Sequence, residues 1–200
     1  MVLPKLAQVQ VGEEYVSILN VPFMPQPPQM LCFPYTVKMI VEFYRNTEQP
    51  ATSQQIPALE IEQIIRTLNA DPERGTILSK SIIKKLNELT NPIEFEMGKG
   101  NLEKLDKCYE KKNPPILIFD PMYYLYSRSG GAAHATVYLG RTDTKIVVNN
   151  PWMGKNYLYD LEKFIESWEI EDFRMVTSEL KVKIQPTKLN NFFEILESEG

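Results

Sequence analysis

The spacing of hydrophobic positions changes once along this 200-residue chain. Up to about residue 112, apolar residues mostly recur three and four apart, the period of a helix with one buried face, and from residue 115 they gather into short strand-like runs. Residues 15–21, YVSILNV, predict a strand that enters the proline-stiffened loop PFMPQPPQM. Pro34 suits the first turn of a helix extending to about Tyr44, which places Cys32 at that helix's N-terminus. Ile61, Ile64, Ile65 and Leu68 follow at i, i+3, i+4, i+7, with Thr52 and Gln55 as a candidate capping box ahead of them. A second amphipathic helix is predicted over residues 79–90, then the alternating strand IEFEM, then a third helix over 101–112 striped by Leu102, Leu105 and Tyr109. Cys108 borders that stripe and reads as structural.

The second half predicts a sheet. PILIF, HATVYL and KIVVNN are strands, the last two joined by a hairpin through GRTDT. YLYD adds a further strand, Asp160 caps a helix carrying Leu161, Phe164, Ile165 and Trp168, and FRMVTSEL returns to the sheet. The cluster MYYLY at 122–126 reads equally as cleft lining or as packing between lobes. NNFFEILESEG reads as a short C-terminal helix. Helices first and strands later give an α+β class.

Composition narrows the function. With 43% hydrophobic and 24% charged residues the chain predicts one globular domain over residues 1–200, divided into a helical lobe (about 22–112), a sheet lobe (about 113–186) and a tail (187–200). The balance of 22 basic and 26 acidic residues, net −4, holds no basic block interleaved with aromatics, so nucleic acid is not an expected partner. MVLPKLAQVQVGEE lacks the apolar core of about 7–15 residues of a signal peptide. The longest apolar runs, such as PPILIF, are far too short for a bilayer. A cytoplasmic protein without a membrane partner is expected. Two cysteines and one histidine assemble no zinc-site spacing, and no cofactor is expected.

What remains is thiol chemistry. A reactive cysteine needs a lowered pKa, a histidine to exchange protons and a polar group to orient the ring. Cys32 at a helix start meets the first need through unpaired N–H groups and the macrodipole. His134, the sole histidine, opens a strand after the small-residue stretch SRSGGAA, and Asn150 ends the next strand. If Arg141–Asp143 form the hairpin tip, His134 lies directly opposite Asn150; a one-residue slip sends Asn150 to the other face. Gln26, in the proline-rich loop, offers an amide N–H₂ to an oxyanion beside the Cys32 backbone N–H. Gln29 is its rival but leaves less chain to turn toward the sulfur. The pair Gly130-Gly131 reads as the small-residue approach to His134. On this reading Cys32 has a thiol pKa below the ordinary ~8.5 and reacts with iodoacetamide near pH 6.

Gln26, five residues, Cys32 at a helix start, then a distant His134 and Asn150-Pro151 resemble the papain-like cysteine peptidase superfamily, most nearly its bacteriocin-leader (double-glycine) peptidase branch. DLEKFIESW resembles the helix that follows in such domains, and the likeness spans roughly residues 15–180. It implies a papain-like fold, a peptide or protein substrate, Cys32 as nucleophile, His134 as general acid/base, Asn150 as orienting residue and Gln26 as oxyanion donor. Two positions depart: Phe33 stands where a glycine usually follows the cysteine, narrowing the approach of substrate, and Asn150 stands for the commoner Asp. The expected activity is a cysteine peptidase or amidase. The alternatives are an acyltransferase using the same residues and a binding or regulatory module without turnover. Oligomeric state is not legible.

Overall fold

The strands predicted for the second half, together with IEFEM from the first, join one antiparallel sheet. The computed structural model describes residues 3–47 and 55–181; Thr52 of the candidate capping box and the C-terminal NNFFEILESEG lie outside the described residues. In chain order the elements are β1 (Leu6–Val11), β2 (Glu14–Leu19), α1 (Cys32–Thr47), α2 (Ile61–Leu68), α3 (Lys80–Thr90), β3 (Ile93–Lys99), α4 (Leu102–Glu110), β4 (Ile116–Phe119), α5 (Pro121–Tyr126), β5 (His134–Arg141), β6 (Lys145–Asn150), β7 (Gly154–Asp160), α6 (Leu161–Ile170) and β8 (Arg174–Leu180). The main sheet runs β3-β8-β4-β5-β6-β7, and β1-β2 form a separate hairpin. This is the expected α+β class, with three additions the pattern did not predict: β1, the short helix α5 within MYYLY, and the pairing of β3 with β8, which carries a strand of the helical half into the sheet.

Both faces of the sheet are covered, which is why β4 is apolar at every position and buried throughout. Ile116 and Ile118 join Val137, Leu139 and Val147 under α1, α2 and α3; Leu117 and Phe119 join Tyr138, Ile146 and Val148 under α4 and α6. Helix α1 is the most deeply set of the helices, with Val37, Met39, Ile40, Val41 and Phe43 each 0% exposed. Burying such side chains is worth about 1.5–3 kcal/mol each, enough to fix where its first residue stands. Phe33 is buried in the same core at 4% exposure, because one step along a helix rotates the side chain away from its neighbour, and it lines the same cavity as Cys32.

Local capping follows chemistry the sequence carries. Helix α2 is held by Glu60 and Gln63, the backbone N–H of Glu60 donating to Gln63 Oε1 at 2.7 Å. Ser79, Asn101 and Asp160 cap α3, α4 and α6. Among the described residues no helix is long and apolar enough to cross a membrane.

The β5–β6 hairpin corrects the expected register. Val137 pairs with Asn149 and Tyr138 with Val148, whereas Gly140 pairs with Val147 and Arg141 with Ile146. An extra residue is therefore inserted at Leu139, and His134 is not directly opposite Asn150 but two positions away from it along the pairing. An offset of two keeps the same face, since side chains alternate with period two. Without the bulge the pairing near the tip would have sent Asn150 to the other side. A Cβ on Gly140 would approach Ile18 Cγ2 at 3.3 Å and the Ser17 carbonyl at 3.4 Å, so the bulge lies where β2 packs tightly on the hairpin.

Candidate active site

Cys32 is the first residue of α1, and its Sγ accepts a hydrogen bond from the Ala135 N–H at 3.4 Å. Ala135 follows His134 at the start of β5, so the end of the sheet and the end of the helix meet at the sulfur. Burial pushes the thiol above its ordinary value, against the opposing pull of the N–H groups of Ala135, Phe33 and Cys32 itself. The expectation of a low-pKa thiol is thereby reversed: desolvation of the charged form exceeds what a helix terminus supplies.

His134 is 6% exposed. Burial lowers its pKa, only partly offset by the hydrogen bond to Asn150, so the imidazole is held neutral. The bond joins His134 Nε2 and Asn150 Oδ1 at 2.9 Å. The same Oδ1 accepts the backbone N–H groups of Trp152 (2.9 Å) and Met153 (3.0 Å), while Asn150 Nδ2 donates to the Tyr159 hydroxyl at 2.6 Å. Backbone N–H groups can only donate, so this atom is the carbonyl oxygen, and a neutral His134 must donate to it from Nε2. Nδ1 then carries the lone pair. Phe119 and Trp152 pack edge-on against the ring at centroid distances of 5.7 and 6.1 Å.

The proline-rich loop is tied to the same turn, since the Gln26 N–H donates to the Pro151 carbonyl at 2.9 Å. Gln26 Nε2 donates within its own loop to the Gln29 carbonyl, and Gln26 Oε1 is buried without a hydrogen-bond partner. Gln29 itself is exposed and takes part through its carbonyl. Cys108 is on α4, away from this arrangement.

Asp120 was not singled out by the sequence reading, yet it organises the approach to His134. It is 0% exposed and caps α5 by accepting the N–H groups of Met122 and Tyr123, while also accepting Ser129 Oγ (2.6 Å) and the Gly130 N–H (3.1 Å). Burial would raise this carboxyl, but the four hydrogen bonds outweigh it and hold it below the usual carboxylate range. A Cβ on Gly130 would lie 2.4 Å from Met122 Cγ, so only glycine lets the loop close on α5. The readable signal was Asp120 before Pro121, a capping acid followed by proline at the first helical position.

Two cavities meet at His134. One, of about 230 Å³, is lined by Cys32, Phe33, Thr76, Gly131, Ala133 and His134. The other, of about 260 Å³, is lined by His134, Asn150 and apolar or aromatic residues of α5, β7 and the turn after β6. Such a thiol beside a neutral imidazole of fixed tautomer can add to a carbonyl while the imidazole takes its proton. Among the described residues no group of three His, Cys, Asp or Glu side chains is placed to hold a metal ion.

No protein-family model matches the chain, and no curated protein does. Solved structures do. A protein described as a C39-like peptidase from Bacillus anthracis superposes with a TM-score of 0.60 at 14% identity, over 82% of this chain and 96% of its own. The peptidase domain of Streptococcus ComA, a bi-functional ABC transporter of a quorum-sensing pathway, gives 0.58 at 15% identity, over 81% and 100%. A double-glycine-motif protease from an AMS/PCAT transporter, in complex with the leader peptide, gives 0.56 at 15% identity, over 81% and 93%. The fold of this chain is that of the C39-like, papain-like peptidases.

Proposed function

We propose that this protein is a cysteine-dependent amide hydrolase, a peptidase in the first instance, in which Cys32 is the nucleophile and His134 the proton carrier. The observation that carries the reading is the Asn150 network. By fixing the proton on Nε2 it leaves Nδ1 as the base, on a ring that lines the same cavity as Cys32. In the first step the Cys32 S–H proton passes to His134 Nδ1 as sulfur bonds to the amide carbon. The oxyanion is received by the Cys32 N–H and by Gln26 Nε2 once that amide exchanges the Gln29 carbonyl for the substrate oxygen. The C–N bond then breaks and His134 returns its proton to the leaving amine. Water, deprotonated by His134, adds to the thioester, and sulfur leaves as the thiol. The sum is amide plus water giving acid plus amine.

A second reading, a binding module without turnover, is favoured by the engagement of Gln26 Nε2 with its own loop. Internally quenched peptides separate the two. Hydrolysis by the wild-type protein that disappears in Cys32→Ala supports the hydrolase; peptide binding with no Cys32-dependent cleavage supports the module.

A further inference from the structure

His134 lines a second cavity besides the one it shares with Cys32. The cavity on the side of His134 that Cys32 does not reach is walled by Phe119, Met122, Tyr124, Leu125, Trp152 and Tyr159, with Asn150 at its base. Its mouth continues into exposed apolar surface: Leu125 is 55% exposed, Tyr126 65%, Trp152 64% and Met153 52%. Side chains of this size are ordinarily buried, and a contiguous exposed patch beside a concave apolar site marks a binding surface. The wall residues come from four places, β4, α5, β7 and the Pro151–Met153 turn, and α5 and β7 are held by polar contacts behind the apolar wall. Asp120 caps α5, and the Tyr124 hydroxyl accepts the Asp160 N–H at 3.1 Å.

The chemistry of the site says which part of a substrate lies there. The acyl part becomes bonded to Cys32 sulfur and occupies the cavity that Cys32 lines. The amine part receives its proton from His134, so the residue bearing that nitrogen extends along the other side of the imidazole. We propose that the apolar cavity receives an aromatic or branched aliphatic side chain of the residue immediately after the scissile bond, making this protein selective for its leaving group. This rests on the hydrolase reading for its direction across the site, but the pocket itself does not need turnover to be observed. An apolar occupant also displaces water from around the His134–Asn150 hydrogen bond, where a lower local dielectric strengthens it.

The experiment has two arms. In the first, Cys32→Ala protein is titrated with phenylalanyl-alaninamide and with glycyl-alaninamide, following the fluorescence of Trp152, with Trp152→Phe as the control for the buried Trp168. Saturable binding at least tenfold tighter for the phenylalanyl compound, and weakened about tenfold by Leu125→Glu, is the expected result; equal affinities, or binding untouched by Leu125→Glu, overturn the pocket. In the second arm, wild-type protein is given quenched peptides that differ only after the candidate bond. Cys32-dependent cleavage favouring Phe or Leu over Gly or Asp by at least tenfold in kcat/KM supports the proposal, and Cys32-dependent cleavage without that preference overturns it while leaving the hydrolase standing. Selective binding in the first arm with no cleavage of any peptide keeps the pocket and removes the hydrolase.

Discussion

Cys32 and Cys108 are both half-buried free thiols, and burial raises the pKa of both. The charges near them favour the Cys108 thiolate: burial of Cys108 is opposed by the ammonium groups of Lys111 and Lys104, whereas Cys32 has only backbone N–H groups. What separates the two sites is a proton acceptor. Cys32 shares its cavity with a neutral imidazole whose tautomer is set through Asn150 by three further hydrogen-bonding groups, the Trp152 and Met153 N–H groups and the Tyr159 hydroxyl. Cys108 has no such base within reach, and the chain contains only one histidine. On the proposed hydrolase reading, reactivity at Cys32 depends on moving a proton during attack, not on a resting thiolate.

The largest effect expected from this contrast is for His134→Ala, which should reduce kcat/KM for peptide hydrolysis by on the order of 10² to 10⁴-fold, while Cys108→Ser leaves it unchanged. A loss in Cys108→Ser equal to that in His134→Ala would erase the distinction. Next, Asn150→Ala should lower kcat by roughly 100-fold with KM little altered, because the ring is present but misaligned. Asn150→Asp should retain more activity, since Tyr159 can turn its hydroxyl to donate to the second carboxylate oxygen. Ranking the two variants by kcat checks this.

Asp120→Asn probes the approach loop. It replaces one acceptor oxygen by an N–H₂ group facing buried donors, and a loss of stability on the order of 1–3 kcal/mol is expected from thermal or denaturant unfolding. Its effect on kcat should be smaller than that of Asn150→Ala.

The smallest effects are in pH dependence. With the Cys32 thiol raised, iodoacetamide at pH 6 should not single out Cys32, and its labelling should climb only through and beyond the ordinary thiol range near ~8.5. Selective labelling at pH 6 would restore the thiolate–imidazolium pair expected from helix position alone. His134 has a folded pKa below its unfolded ~6.5, so the unfolded chain takes up the proton first on acidification. Stability should fall as pH drops below about 6.5, and His134→Gln should flatten that slope in denaturant titrations.

Much of this was legible in the chain. The period of apolar positions found α1 to α4, α6 and the strands of the sheet, because each buries one face or both against a single core. Cys32, His134 and Asn150 stand out in the chain as a candidate set by order and residue type, and the structure brings His134 and Asn150 into contact. The rest depended on three-dimensional facts that no local pattern encodes. The bulge at Leu139 lies where β2 packs on the hairpin; the raised thiol comes from its burial; the anchoring of Gln26 comes from its loop closing on Gln29 and Pro151. β1 was passed over although Ala7-Gln8-Val9-Gln10-Val11 alternates apolar and polar residues, and it pairs only with its neighbour β2, outside the main sheet; α5 was missed because six residues are too few to show a helical period.

The most direct test of the account is to catch the bond it requires. Wild-type, Cys32→Ala and Cys108→Ser proteins are mixed with quenched peptides at neutral pH, stopped in acid within the first turnover and analysed by intact mass with peptide mapping. The account predicts an acyl adduct on Cys32 in wild-type and Cys108→Ser, and none in Cys32→Ala. Hydrolysis that persists in Cys32→Ala, or an adduct mapped to Cys108, would contradict it.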